Sequence, residues 1–372
     1  MQNKEVHAHE PRIQVVKRGE DMPILKSWFV RAVAIVAALL VCSLVIVMLT
    51  GINPIQFFKT MVVGSFGTER NLWKAAQNLA MLLCISLAVT PAFKMKFWNI
   101  GAEGQALVGC IASAAIMINF ADKFPNNIVM LVVMAVASIL AGVVWGLIPA
   151  IFKAYFNTNE TLFTLMMNYV AIQLTTYFVL RWENPKNSSN VGIINMKTMS
   201  GWFPWIANQK YLLNIIIVAI IVIIMYIYLK YSKHGYEISV VGESQNTARY
   251  IGINVKKVII RTMAFSGALC GVTGWLLVAG THHTINADIV GGMGFTAIMV
   301  SWLAKFNPLV MIFVSGLIVF LQQGAAEIVT QFTAFQLNES ISDIITGIIL
   351  FFIIGSEFFV RYKINRRKVK ED

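Results

Sequence analysis

The sequence lacks the common motifs for binding or hydrolysing a nucleotide. None of its glycine-rich stretches has the form G-x-x-x-x-G-K-[ST] or G-x-G-x-x-G, and no H-E-x-x-H zinc motif or G-x-S-x-G nucleophile elbow occurs. We therefore predict that the chain is not an enzyme and carries no cofactor. If ATP drives its function, another polypeptide must hydrolyse it.

Charged residues are scarce. They make up 13% of the 372 residues, whereas 57% are hydrophobic and the mean hydropathy is +0.69. A soluble chain of this size cannot bury several apolar runs of about 20 residues, so the composition indicates a protein that crosses the membrane repeatedly. The net charge of +12 comes mainly from short loops between apolar segments. That pattern is a topology signal, and we predict no nucleic acid partner.

The four cysteines offer no metal site or disulfide framework. All of them lie inside apolar segments and none has C-x-x-C spacing. The adjacent pair His282 and His283 follows an apolar segment, and we interpret it as a solvated turn. We therefore predict no metal ligands in this chain.

The apolar segments predict an all-α polytopic membrane protein with about ten transmembrane helices. The segments form a transmembrane domain over residues 28–360, preceded by a polar tail at 1–27 that is predicted to be cytoplasmic and followed by a basic cytoplasmic tail at 361–372. The ten predicted spans are Trp28–Thr50, Leu72–Val89, Phe97–Asn119, Ile128–Phe152, Thr161–Leu180, Tyr211–Leu229, Ile259–Gly280, Ile289–Ala304, Leu309–Phe332 and Ile341–Val360. Pro91 is expected to end the second span, and Gly142 and Gly146 to allow close helix contact in the fourth.

The distribution of basic residues orients these spans. With the N-terminus inside, the inner segments hold 21 Lys and Arg and the outer segments hold 8. This asymmetry predicts that both termini are cytoplasmic. The first apolar run has no small-residue cleavage site close behind it, so we expect the N-terminus to be retained.

Two spans share an unusual glycine-rich beginning. The third starts W-N-I-G-A-E-G-Q and the eighth contains G-G-M-G-F. These spans hold the same place in spans two to five and seven to ten but run in opposite directions, which predicts an inverted repeat around a central pathway. The alternative is that the glycines only allow close helix packing.

Polar and aromatic side chains beside these glycines are candidates for a substrate pathway. Glu103 is an ionisable group inside an apparent span, which is costly unless it faces a cavity or a partner. Amides could bind hydroxyls or ring nitrogens, and aromatic rings could stack on a sugar or base. Hydrogen bonds between helices are an equally weighted alternative. The candidates are Phe97, Trp98, Asn99, Glu103, Gln105 and Phe295.

The loop at 231–258 is too polar to cross a bilayer and predicts a short helix, Gln245–Ile251. Ser244 is a suitable N-cap, Gly252 can end the helix in a left-handed conformation, and Asn254 can cap the next span. This water-facing helix could dock a soluble partner. A turn whose charges only set the topology is the alternative.

Several stretches together resemble one family. K-M-K-F-W-N-I-G-A-E-G-Q at 94–105, V-G-E-S-Q-N-T-A-R-Y-I-G-I-N-V at 241–255, S-G-A-L-C-G-V-T-G at 266–274 and G-G-M-G-F-T-A-I at 291–298 are similar to permease subunits of bacterial ABC importers. Within that group they look most like the branch for nucleosides and simple sugars. V-S-W-L-A-K-F at 300–306 departs from that family's usual A-L-L-G pattern.

The resemblance implies partners and a location. It implies an ATP-binding-cassette ATPase subunit, a second permease subunit that is homologous or identical, an extracytoplasmic substrate-binding protein or lipoprotein, and a multi-pass place in the bacterial cell membrane. It also implies that the short helix couples to the ATPase through Glu243, Ser244, Gln245, Asn246, Thr247, Ala248, Arg249, Tyr250 and Ile251. An ion-coupled secondary transporter is the alternative from another class, since it could also have inverted repeats and intramembrane carboxylates.

Overall fold

The structure, a computed structural model, describes residues 13–18, 22–51, 53–121, 123–124, 126–331 and 340–366. It confirms the all-α expectation. The helices are α1 Ile24–Thr50, α2 Pro54–Phe66, α3 Glu69–Lys94, α4 Ala102–Asn119, α5 Asn127–Phe156, α6 Glu160–Trp182, α7 Leu212–Tyr231, α8 Lys233–Glu243, α9 Gln245–Tyr250, α10 Val255–Trp275, α11 Met293–Leu303, α12 Pro308–Gln331 and α13 Ser340–Arg361. A π-helical turn, Leu276–His282, continues α10, and two short strands are β1 Ile13–Lys17 and β2 Tyr362–Arg366.

Within the described residues, eight helices are long and apolar enough to cross a membrane. Two of the ten predicted spans are not among these eight: the eighth, because α11 has only 11 residues, and the tenth, which corresponds to α13. The predicted end of the second span at Pro91 is wrong. Proline removes one backbone donor, but the Met95 N–H donates to the Pro91 carbonyl at 3.2 Å, and α3 continues to Lys94.

The chain divides into two compact units. One consists of residues 1–68 and 320–372. In it, β1 pairs antiparallel with β2, a small sheet within the two predicted tails. Arg31 of α1 forms a salt bridge of 3.0 Å with Glu357 of α13. The other unit, residues 69–319, contains every residue of the sites described below.

Glycines bring α5 and α10 into backbone contact at the centre of this second unit. A Cβ on Gly142 would overlap the Gly267 carbonyl oxygen, and one on Gly271 would overlap the carbonyl oxygen of Ser138. The Ser138 hydroxyl donates to the Gly271 carbonyl at 2.7 Å. The predicted role of Gly142 in close helix contact is confirmed.

We call the helix ends nearest α9 the α9 side, and the other ends the opposite side. On the opposite side the connection 183–211 folds over the end of α10. The Phe203 N–H donates to the Ala279 carbonyl at 3.0 Å and the Ile194 N–H to the His283 carbonyl at 2.8 Å. The Trp202 ring stacks on His283 with centroids 3.8 Å apart. His283 is therefore buried, and its interpretation as part of a solvated turn is wrong because Trp202 covers it.

Candidate functional site: two interrupted helices that meet

Two irregular segments enter the bundle from opposite sides. Residues 97–101, between α3 and α4, enter from the α9 side. The predicted third span therefore becomes helical only at Ala102, not at Phe97, since Phe97 is part of this non-helical segment. From the opposite side, residues 284–292 run inward to the start of α11, and Ile285, Ile289 and Val290 of this segment are buried.

Both segments end deep in the bundle. The Gly104 N–H donates to the Asn168 side-chain oxygen at 2.9 Å. Asn168 lies two turns from the start of α6 at Glu160, about 12 Å from the α9 side at 1.5 Å per residue. On the other segment, α11 is about 16 Å long, roughly half of a 30 Å hydrocarbon core. Irregular backbone at such depth is tolerated only where protein covers it or where it lines a pathway.

The Glu103 carboxylate joins the two segments. Oε1 accepts from the Gly292 N–H at 2.9 Å and Oε2 from the Gly294 N–H at 2.7 Å. Gly292 has φ +70°, and a Cβ on Gly294 would collide with the Glu103 backbone, so both positions require glycine. Glu103 also lies in the first turn of α4, so the N-termini of two helices face one carboxylate.

Amide side chains hold the non-helical segment 97–101 in place. The Asn99 side chain donates to the Ser266 hydroxyl at 3.2 Å and accepts from the Gly101 N–H at 3.1 Å. The Gln105 amide donates to the Asn99 oxygen at 3.2 Å. Both amides are buried, and among the described residues the Gln105 Oε1 atom has no hydrogen-bond partner. An unpaired buried acceptor is costly, so Gln105 retains binding capacity.

The aromatic candidates divide into exposed and buried rings. Trp98 is 44% exposed and stacks on Trp302 with centroids 5.4 Å apart. Phe295, at the start of α11, is 43% exposed. Phe97 is only 3% exposed and packs in a hydrophobic cluster with Met95. Trp98 and Phe295 therefore have exposed aromatic surface, whereas Phe97 packs behind the other residues of the segment 97–101.

Sequence reasoning missed some residues of this site. Thr164 accepts from the Ile100 N–H at 3.2 Å, and Asn168 donates to the Ile100 carbonyl at 2.9 Å. Asn168 is a polar residue inside an apolar span, and this pattern could have identified it as a site residue from the sequence. Trp302 lies in the V-S-W-L-A-K-F stretch that departs from the family pattern, and it supplies the ring on which Trp98 stacks.

The helix α9 has the caps that the sequence predicts. The Ser244 hydroxyl accepts from the Thr247 N–H at 3.2 Å, Gly252 has φ +85°, and the Asn254 side chain accepts from the Lys257 N–H at 3.1 Å. These predictions are confirmed. The helix ends at Tyr250, one residue before the predicted Ile251.

The faces of α9 have different surroundings. Tyr250 is 92% exposed, and the other exposed residues are Glu243, Gln245, Asn246, Thr247, Arg249 and Ile251. Ser244 is half-buried, whereas Ala248 is fully buried in a cluster that contains Met95, Phe97 and Ile238. Ala248 therefore supports α9 from inside and does not offer a surface to a partner in this conformation.

The same cluster connects α9 to the interrupted segment. It includes Ala248 of α9, Ile238 and Val241 of α8, and Phe97. Gly242 of α8 lies so close to the turn after α3 that a Cβ would overlap the Lys94 carbonyl oxygen. A movement of α8 and α9 would therefore reach residues 97–101 through direct contacts.

This architecture is that of a multi-pass membrane protein whose helices are interrupted at the bundle centre, as in transporters. The family described as "Branched-chain amino acid transport system / permease component" matches residues 71–354, and the chain belongs to this family. It is therefore a transport permease rather than an enzyme, and membership excludes the ion-coupled alternative.

Three relatives have the same general function. The chain is 26% identical to the nucleoside ABC transporter permease protein NupB of Lactococcus lactis, over 87% of this chain and 90% of the relative. It is 28% identical to the guanosine ABC transporter permease protein NupP of Bacillus subtilis, over 93% of this chain and 98% of the relative. It is 25% identical to the glucose ABC transporter permease protein TsgB13 of Haloferax volcanii, over 89% of this chain and 88% of the relative.

Proposed function

We propose that this permease forms the translocation pathway for a nucleoside in an ATP-driven importer. The observation that carries the proposal is the meeting of two interrupted segments at Glu103, beside the exposed rings of Trp98 and Phe295. Aromatic faces suit a purine or pyrimidine base, and the unpaired Gln105 oxygen suits a hydroxyl or amino group. Two of the three relatives described above are named for nucleosides or guanosine, which supports this substrate class over a simple sugar.

In this proposal, residues 97–101 and 284–292 form the closed part of the pathway. The Glu103 carboxylate holds the Gly292 and Gly294 amides while the pathway is closed, and the two segments separate when a substrate passes. Trp98 and Phe295 then stack on the base. Asn99 keeps residues 97–101 in position through its bond to Ser266.

Uptake of labelled nucleosides tests the substrate class. Cells that express the complete importer should accumulate guanosine or uridine, with unlabelled nucleosides competing and glucose not competing. Trp98→Ala should reduce uptake and Trp98→Phe should restore much of it, because phenylalanine keeps an aromatic face. Tyr177→Ala is the matched control, since Tyr177 is 61% exposed on α6 and belongs neither to this site nor to the opposite-side connection. Competition by glucose but not by nucleosides would contradict the substrate class.

The partners follow from the same proposal. The α9 side faces the cytoplasm, and the exposed residues of α9 dock in the ATPase subunit. The contact surface is Glu243, Ser244, Gln245, Asn246, Thr247, Arg249, Tyr250 and Ile251, with Ala248 behind it as support. The pathway is completed by a second permease subunit, and a substrate-binding lipoprotein docks on the opposite side.

Docking can be tested by co-purification with the ATPase and by ATP turnover. Arg249→Glu and Tyr250→Ala should weaken assembly, because they change the charge or remove the largest exposed side chain of a small contact. Lys230→Gln is the control, since Lys230 is exposed at the end of α7 but is not part of α9. Full assembly and substrate-stimulated turnover in both α9 variants would contradict the docking assignment.

Cysteine labelling tests the orientation. All four native cysteines are buried, so they can be replaced to give a cysteine-free background. A cysteine at Ser188, on the opposite-side connection, should react with an impermeant reagent in intact cells. A cysteine at Ser244 should react only after permeabilisation. Labelling of Ser244→Cys from outside would reverse the proposed orientation.

A further inference from the structure

A basic cleft lies beside α9 on the outer surface of the bundle. It has a volume of about 240 Å³ and lies between the end of α5 and the segment that contains α9 and the start of α10. Its polar lining consists of Lys153, Tyr155, Asn157, Gln245, Arg249 and Lys256. Of the described residues that line it, none is acidic. The substrate site at Glu103 does not include any of these residues.

The cations of this cleft are incompletely neutralised. Lys153 forms a salt bridge with Glu160 at 2.8 Å. Among the described residues, Arg249 and Lys256 have no carboxylate within salt-bridge distance, and both are exposed. The Lys256 ammonium lies 4.8 Å from the centre of the Tyr155 ring, which orients it over that ring. The cleft therefore offers two positive charges to an anion, that of Lys256 oriented by Tyr155, together with the neutral donors of Asn157 and Gln245.

The outer face of α5 runs directly into the cleft. Val132, Val136, Leu140 and Val144 are each more than half exposed and follow one another at four-residue spacing. Such a continuous apolar stripe on a membrane-spanning helix is suited to packing against lipid chains. Tyr155, which is 60% exposed, continues the stripe and also lines the cleft. A lipid that packs its chains on α5 can therefore place its headgroup among the cations.

We propose that this cleft binds the phosphodiester headgroup of an anionic phospholipid such as phosphatidylglycerol. A phosphodiester is singly charged and provides acceptor oxygens for Arg249 and Lys256, and basic pockets at this level of membrane helices are suited to such headgroups. An ATPase carboxylate could also reach Arg249. A carboxylate would contact neither the apolar stripe of α5 nor Tyr155, so a phospholipid accounts for more of the residues in and beside the cleft than a carboxylate does. The lipid site does not rest on the proposed substrate, but it shares Gln245 and Arg249 with the proposed ATPase contact, so that of the polar lining only Lys153, Tyr155, Asn157 and Lys256 are particular to the lipid.

The test uses the full chain, purified without its partners, in nanodiscs with equal amounts of phosphatidylglycerol and phosphatidylcholine. Native mass spectrometry then counts the lipids that stay bound. The wild type should retain phosphatidylglycerol in preference to phosphatidylcholine. Lys256→Gln and Arg249→Gln should each reduce that preference about fivefold, the effect of removing one cation near an anionic lipid surface. Lys257→Gln is the matched control because Lys257 is exposed next to Lys256 but does not line the cleft.

Four outcomes would overturn the proposal. First, the preference for phosphatidylglycerol could survive both cleft variants. Second, Lys257→Gln could abolish this preference as fully as the cleft variants do, which would show that the preference is a general effect of surface charge. Glycerol 1-phosphate or inorganic phosphate could displace the lipid as effectively as short-chain phosphatidylglycerol, which would make the ligand a free phosphate. Finally, assembly with the ATPase could release the bound lipid one for one, which would make a protein side chain the native occupant.

Discussion

Gly242 of α8 lies against the carbonyl oxygen of Lys94, the last residue of α3, with no room for a Cβ between them. The contact joins the segment that contains α9 to the turn that leads into residues 97–101. Because backbone cannot move aside as a flexible side chain can, any methyl group at Gly242 must push α8 away from α3. The distance between α9 and the interrupted segment thus depends on a residue that has no side chain.

We predict that Gly242→Ala lowers both the thermal stability and the uptake of the assembled importer. Forcing a side chain into such a contact typically costs about 1–3 kcal/mol. Thermal unfolding in detergent and substrate uptake are the measurements. Gly355→Ala is the matched control, because Gly355 is also helical but an added Cβ would meet no atom within 4 Å. Unchanged stability in Gly242→Ala would mean that α8 is not held against Lys94.

Ala248→Leu should destabilise the protein even when no ATPase is present. Ala248 is fully buried among the side chains of α8, α10 and the turn after α3, so a larger residue overpacks the chain's own core. The expected loss is about 1–3 kcal/mol in the unfolding of the isolated permease. Asn246→Leu, an exposed position on the same helix, should leave this stability within about 0.5 kcal/mol. If only Asn246→Leu destabilised the protein, the orientation of α9 would be wrong.

Glu103→Gln keeps the shape of the side chain but replaces one acceptor oxygen with an NH₂ group. That group cannot accept from the Gly292 or Gly294 N–H, so one buried donor loses its partner, at a cost of about 1–3 kcal/mol. We expect lower thermal stability together with reduced uptake at normal membrane insertion. Glu69→Gln, an exposed carboxylate at the start of α3, should change neither property. Normal uptake and stability in Glu103→Gln would remove Glu103 from the site.

The stability of the protein should depend on pH through His283. Burial and the positive charge of Lys210 lower the pKa of His283 to about 4. Between about pH 6.5 and pH 4, this histidine is therefore protonated in the unfolded chain but neutral in the folded protein. The free energy of unfolding should decrease as the pH falls through this window. At pH 5.5 the loss from His283 should be about 1 kcal/mol relative to pH 7.5.

Thermal unfolding at pH 7.5 and pH 5.5 measures this effect. His283→Asn should show a smaller decrease in melting temperature between the two values, since asparagine does not titrate and tolerates the left-handed backbone at this position, where φ is +53°. His282→Asn, the variant of the neighbouring histidine, shows separately how much of the decrease comes from His282. An identical decrease in the wild type and His283→Asn would show that protonation of His283 does not act on stability.

Local features were predictable from the sequence, and long-range ones were not. The caps at Ser244 and Asn254 each use a hydrogen bond to a backbone group three residues away, so the sequence pattern is sufficient to predict them. The bond between Glu103 and Gly292 joins residues 189 positions apart. The glycine-rich pattern indicated that both spans are interrupted, but nothing in it indicated that the two interruptions touch each other.

The direction of individual side chains was also beyond sequence reasoning. Phe97 and Trp98 are adjacent aromatic residues and were equal candidates, yet one packs in the hydrophobic cluster and the other is exposed. The difference depends on the non-helical backbone of residues 97–101, for which no periodic pattern applies. Ala248 was included in the docking surface because a helix of only six residues is too short to show an apolar periodicity, and the packing of α8 and α10 turns it inward.

The two helix ends that face Glu103 also affect the charge at the junction of the two interrupted segments. Each helix N-terminus carries roughly half a positive charge, so α4 and α11 together balance roughly the single negative charge of the carboxylate. At Glu103 itself the charges therefore nearly cancel, while the exposed Asp288 of residues 284–292 adds a negative charge that acts on the same carboxylate. An anion would lose its hydration there without gaining a counter-charge, whereas an uncharged solute pays no such penalty. In the proposed pathway, this junction would let a neutral nucleoside pass while anions are held back.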